Sequence, residues 1–166
     1  MLHFNAFGRF FITYFRKRDS KMNFELKKSI EEKKQVFGWA NVAEDEQGNL
    51  LEDYQGDSIT AEELEKTAYN YVLKFRDTGE RHNPALRKKG KMIESIVFTK
   101  EKLQALGLPE DCLPCGWWIG FQITDDTTWQ KIKKGEYNMF SIEGTAQVEN
   151  VNKTIQAKSF LEYYQN

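Results

Sequence analysis

Three stretches of the chain alternate between apolar and polar residues with a period of two. In Lys91–Thr99 (KMIESIVFT), Met92, Glu94, Ile96 and Phe98 share one face, and Ile93, Ser95, Val97 and Thr99 the other. In Gly116–Thr124 (GWWIGFQIT), Trp118, Gly120 and Gln122 oppose Trp117, Ile119, Phe121 and Ile123. In Met139–Val148 (MFSIEGTAQV), Phe140, Ile142, Gly144 and Ala146 alternate with Ser141, Glu143, Thr145 and Gln147. That period is the mark of a strand with one buried face. A fourth strand is predicted over Gln35–Ala43 (QVFGWANVA), where Val36, Phe37 and Trp39 are strand formers and Gly38 suits a bulge or a close backbone approach.

Between these strands the period changes to that of a helix. Thr60-Ala61-Glu62-Glu63 is a capping box, and Leu64, Ala68, Tyr71, Val72 and Phe75 follow at helical spacing. Asp77-Thr78-Gly79-Glu80 is read as the stop of this helix. A short helix over Glu101–Leu106 would bury Leu103 and Leu106. A third opens at Asp125 or Asp126, shows Trp129 and Ile132 on one face, carries Lys133 and Lys134 in its last turn and stops at Gly135. The segment EDEQGNLLEDYQGDS reads as a long hairpin-like excursion, and Leu108–Pro114 as a turn-rich connection. The tail, 150–166, is left as one further strand or helix, with Phe160, Leu161, Tyr163 and Tyr164 available for packing. The order strand, helix, strand, helix, strand, helix, strand, with short helices and long gaps, predicts an α+β fold built on a barrel-like sheet.

Composition narrows the class. The 166 residues fit one domain, which would bury roughly 68–70% of its unfolded surface. Net charge is −1, so no global field recruits nucleic acid or an anionic membrane. The basic run Arg87–Lys91 has no interleaved aromatics and reads as a solvated loop. Charge is uneven, however: residues 1–34 hold nine Lys/Arg against four Asp/Glu. The apolar run Phe10–Phe15 is too short for a bilayer, which needs about 20 residues. Its basic triplet also follows the apolar part, the reverse of a secretory signal. Because Met22 opens a natural-looking start, residues 1–34 are expected to be a basic N-terminal extension, poorly ordered over 1–21. Residues 35–166 would form a single domain, and a cytoplasmic setting follows from the cysteine usage.

Candidate chemistry is sparse. Cys112 and Cys115 form a lone C-x-x-C, and a structural zinc site wants four ligands, for which only His82 is an obvious third. No phosphate-binding glycine motif is present. Ser141 stands on the polar face of a strand otherwise anchored in a core, and His82 is the one histidine outside the N-terminal segment. A hydroxyl nucleophile needs a base, and the base needs an orienting group. A Ser141–His82–carboxylate set is therefore the one hydrolase triad this chain can build, with no cofactor and no metal.

From Val36 to Val148 the sequence resembles the XkdF-like phage serine proteases, a branch of the phage prohead (capsid maturation) proteases. The match is carried in order by VFGWANV, DYQGDSITAEELEKTAYNY, His82, IESIV, GWWIGFQI and WQKIKKGEYNMFSIEG, about two-thirds of the chain. Prohead proteases are related to herpesvirus assemblins, so the resemblance implies a β-barrel wrapped by helices, a mostly antiparallel and herpesvirus-protease-like sheet. It puts the nucleophile on Ser141 and the histidine on His82. Many prohead proteases read Ser-hydrophobic-Gly here, whereas this chain has Ser141-Ile142-Glu143-Gly144. The second histidine of the assemblins has no counterpart but His3 and is not carried over. Glu94, in the matching E-S pair, is the candidate orienting group, with Asp57 and Glu143 in reserve.

The implied activity is endoproteolysis of scaffold and major capsid proteins inside an immature phage shell, with self-cleavage, and the portal is a further candidate partner. Homo-oligomerisation stays open. The alternative is a non-catalytic capsid-assembly or scaffold-linked module with the same fold, which would place Ser141 and His82 beyond hydrogen-bond reach. A zinc-stabilised binding domain is the third reading.

Overall fold

A computed structural model describes residues 2–13, 26–30, 33–52 and 57–148, with side-chain surroundings defined for Leu26, Ile30, 33–52 and 57–142. In chain order the elements are β1 (Leu2–Thr13), β2 (Leu26–Ile30), β3 (Gln35–Glu44), α1 (Ala61–Lys74), β4 (Asp77–Glu80), β5 (Gly90–Phe98), α2 (Lys100–Ala105), β6 (Cys115–Ile123), α3 (Asp126–Lys133) and β7 (Met139–Val148). A 3₁₀ turn, Pro84–Leu86, lies between β4 and β5.

The sheet is organised around β6, whose odd positions Trp117, Ile119, Phe121 and Ile123 are all buried. It pairs antiparallel with β3 on one side and β5 on the other, and β5 pairs antiparallel with β4. These four strands curl into a half-barrel flanked by the three helices, the α+β arrangement expected. The full order is β2-β3-β6-β5-β4-β1-β7. The Leu26 N–H donates to Asn138 O at 2.8 Å, so β2, at one edge, also touches the residue that leads into β7, at the other.

Inside the curl, Val36, Trp117, Phe121 and Phe140 meet Leu64, Ala68 and Tyr71 of α1 and Trp129 and Ile132 of α3. Phe121 and Phe140 have ring centroids 5.7 Å apart, which joins β6 to β7 through the core. Tyr71 and Trp117 make an edge-to-face pair at 5.7 Å, a geometry favoured by the ring quadrupoles.

The helix boundaries follow their caps. Thr60 accepts the Glu63 N–H at 3.2 Å, and Asp125 accepts the Thr128 N–H at 2.8 Å. At the far end of α3, Gly135 takes φ 72°, its N–H bonds Ile132 O, and Glu136 N–H bonds Lys131 O. That is a Schellman motif, which needs a left-handed residue at the glycine position.

Two segments differ from the sequence reading. Residues 1–34 were expected to be an extension, poorly ordered over 1–21, yet β1 and β2 are strands of the sheet. β1 pairs parallel with β4 and antiparallel with β7, and so supplies backbone partners to two strands; strand pairing satisfies groups that an unaided edge would leave open. Residues 14–25 lie outside the described residues. Asp77–Glu80, read as a helix stop, is β4, with Thr78 and Glu80 buried. Its turn-like composition is overridden by pairing with β5 and β1. The excursion after β3 starts as a tight turn, with Gly48 at φ 85° and Leu51 N–H on Ala43 O. Residues 53–56 and the tail, with Phe160, Leu161, Tyr163 and Tyr164, lie outside the described residues.

Candidate active site

β7 begins with Phe140 buried in the core and Ser141 half-buried on the strand's other face. Alternation along the strand thus presents the hydroxyl from a rigid element. His82 reaches it from the turn that follows β4. In that turn Arg81 and His82 both have positive φ, 50° and 55°, and Asn83 N–H closes on Glu80 O at 3.0 Å. Two successive positive φ values are the signature of a type I′ turn, usually filled by Asn-Gly. For Arg and His such backbone is sparsely populated and costs on the order of 1–3 kcal/mol each. Asn83 then stops the turn, its Oδ1 accepting Ala85 N–H at 2.9 Å ahead of Pro84–Leu86.

The result is a contact between His82 Nε2 and Ser141 Oγ at 2.8 Å, across 59 residues of chain. That is the geometry a nucleophile–base pair requires. With Nε2 unprotonated, the imidazole accepts the hydroxyl proton, and the same nitrogen can later return it to a leaving group.

The structure corrects the third assignment. Glu94 is exposed, and its Oε1 accepts the indole N–H of Trp118 at 2.8 Å. The register of β5 against β6 shifts between Met92 and Glu94. Met92 consequently packs against the core while Glu94 falls on the outer face beside Trp118. Register also carries it away from the pair: Thr78 faces Gly90, so β5 runs toward Glu94 as β4 runs toward His82. Glu94 and Glu80 are separated by roughly 20 Å along the strands at about 3.3 Å per residue. Glu94 does not orient His82. Asp57 is half-buried ahead of α1. Glu143 sits two positions beyond Ser141 on β7, and its side chain lies outside the described residues.

A carboxylate that the sequence reading passed over stands nearer. Glu80, two residues before His82, is 1% exposed. Its Oε2 accepts from Lys131 Nζ at 2.7 Å and from Tyr137 OH at 2.8 Å, and its Oε1 accepts from the Thr128 hydroxyl. Burial is the largest single influence on this carboxyl and pushes it up, but the three donors together outweigh it and hold the group below its ordinary value. Tyr137 is itself buried, with the Arg81 guanidinium 5.5 Å from its ring centroid. An acidic residue in the motif GERH was the available signal, hidden because the segment reads as a turn.

Residues 17–150 match the family described as "Putative phage serine protease XkdF". The chain belongs to that family. It is 28% identical over 149 residues to "Phage-like element PBSX protein XkdF" of Bacillus subtilis (strain 168), covering 83% of this chain and 52% of that protein. It is 27% identical over 131 residues to "Uncharacterized protein YqbD" of the same organism, covering 78% of this chain and 37% of that protein. The chain therefore spans about half or less of the curated relatives it matches. No solved structure gives a significant match. Within the family frame, the matched region contains both His82 and Ser141, whereas β1 precedes it. Cys112 is exposed and Cys115 buried, and burial raises the Cys115 thiol. Among the described residues no three His, Cys, Asp or Glu side chains converge as a metal would need, and no helix is long and apolar enough to cross a membrane.

Proposed function

We propose that this chain is a serine endopeptidase of phage prohead maturation, in which Ser141 is the nucleophile and His82 the general base. The observation that carries the reading is the 2.8 Å contact between His82 Nε2 and Ser141 Oγ. As Oγ bonds to the scissile carbonyl carbon, its proton passes to Nε2. When the C–N bond breaks, Nε2 gives that proton to the departing amine and an acyl-serine remains. Water then attacks the ester with the same histidine as base, releasing the acid and restoring the serine.

The proposed substrates are the scaffold and major capsid proteins, with the portal as a further partner, inside proheads in the bacterial host. The non-catalytic assembly module would be favoured by a serine and histidine out of reach of each other, and a 2.8 Å separation supports the catalytic reading instead. The test is co-expression with the adjacent scaffold or capsid protein, read by intact mass, with wild type beside Ser141→Ala. Products that vanish in Ser141→Ala support the peptidase; identical products in both, or none from wild type even in assembled shells, reject it.

A further inference from the structure

The pair is brought together by two short segments, each anchored close by. His82 follows Glu80 by two residues, and Ser141 follows Tyr137 by four. These anchors are bonded to each other, Tyr137 OH to Glu80 Oε2 at 2.8 Å. Glu80 is also held by α3, through the Thr128 hydroxyl and the Lys131 ammonium, and Lys131 Nζ reaches Tyr137 OH at 3.3 Å. Thr128, Tyr137 and Glu80 are each no more than 1% exposed. One carboxylate thereby links the end of β4, the helix α3 and the run-in to β7.

We propose that Glu80 is a positioning residue for the His82–Ser141 pair: it sets the distance between base and nucleophile by fixing the turn after β4 to the segment leading into β7. The proposal rests on the peptidase reading for its catalytic meaning, but not for its geometry. A carboxylate is suited to this place because it only accepts, and each of its partners donates. Buried charge of this kind is retained only when its hydrogen bonds are satisfied, so the three partners are held in one arrangement. The strained turn makes such an anchor necessary. Arg81 and His82 hold positive φ values that an untethered loop would leave.

The test compares wild type, Glu80→Gln and Tyr137→Phe. Glu80→Gln keeps the shape but places an amide N–H₂ against donors; Tyr137→Phe removes one bond and leaves the charge. Reaction of Ser141 with a fluorophosphonate probe should slow by about 100-fold in Glu80→Gln and less in Tyr137→Phe, the scale of a misplacement of about 1 Å. The deciding readout is the His82 ring signal in NMR, which is easily assigned because the chain holds two histidines. In wild type, adding Ser141→Ala removes a hydrogen bond and should shift that signal. In folded Glu80→Gln the same addition should leave it nearly unmoved, because the pair has already parted. A shift as large as in wild type, in a protein with a dispersed amide spectrum, overturns the proposal. If Glu80→Gln does not fold, Tyr137→Phe carries the comparison with the same two outcomes. The ring signal needs no turnover, so it decides the role of Glu80 even where the peptidase reading fails.

Discussion

Glu94 and Trp118 meet diagonally across β5 and β6 on the outside of the sheet, with carboxylate and indole nitrogen 2.8 Å apart. This contact removes Glu94 from the chemistry. Glu94→Gln should leave the rate of peptide cleavage or probe labelling within about twofold of wild type. The exposed hydrogen bond is worth about 0.5–1.5 kcal/mol at most, so a denaturant midpoint should move little. A loss of activity comparable to Ser141→Ala would reinstate Glu94.

Ser141→Ala and His82→Ala should behave alike. Each is expected to lower turnover on the order of 10³-fold or more, because members of one catalytic unit are not additive. The double variant should be no slower than either single one, measured as initial rates of partner cleavage.

Acid should loosen the end of the sheet that carries the site. Asp125 caps α3, accepts from Lys89 at 2.9 Å, and has its pKa held down to about 2, first by the Thr128 N–H and then by Lys89. Glu80 is likewise held below its ordinary value. Folding lowers both pKa values, so the unfolded chain binds more protons in acid. The Asp125 contribution is complete above its unfolded value, near pH 4, and disappears as pH falls through about 2; the Glu80 contribution is lost in the same direction, below the ordinary glutamate range. For the partly exposed Asp125, solvent screening reduces its share to about 1 kcal/mol. Asp125→Asn should flatten the acid limb of a stability-against-pH curve and leave stability at pH 2 nearly unchanged.

Gly120 lies on β6 opposite Phe37, whose ring covers it. A Cβ built there would stand 2.6 Å from two ring atoms of Phe37 and 3.0 Å from Glu94 Cβ. Gly120→Ala should therefore destabilise by about 1–3 kcal/mol, the range for overpacking. Thermal denaturation monitored by near-ultraviolet circular dichroism would show it, and an unchanged midpoint would mean that Phe37 swings aside freely.

What the sequence disclosed was whatever depends on local periodicity or on local capping. β3, β5, β6 and β7, the stripe of α1 and both ends of α3 were legible, because alternation, Thr60, Asp125 and Gly135 act within a few residues. Ser141 and His82 were legible as residue types, though their contact depends on tertiary structure. β4 was not: four turn-forming residues become a strand only because β5 and β1 lie beside them. β1 was missed for the same reason, since its pairing partners lie more than 60 residues away. The shift between Met92 and Glu94 reverses a face without leaving a trace in the alternation, and it puts Glu94 outside; the E-S pair that singled out Glu94 carries no information on which way it faces. Glu80 was hidden by its membership of β4.

The separation of 59 residues between His82 and Ser141 also has a meaning in time. The two groups share no local segment, and the strand bearing the serine completes the core through Phe140 against Phe121. A chain still emerging from the ribosome with β7 unmade holds a histidine on an unfinished sheet and no nucleophile. If the pair cuts peptides, the order of synthesis delays that activity until β7 has been made and packed against β6.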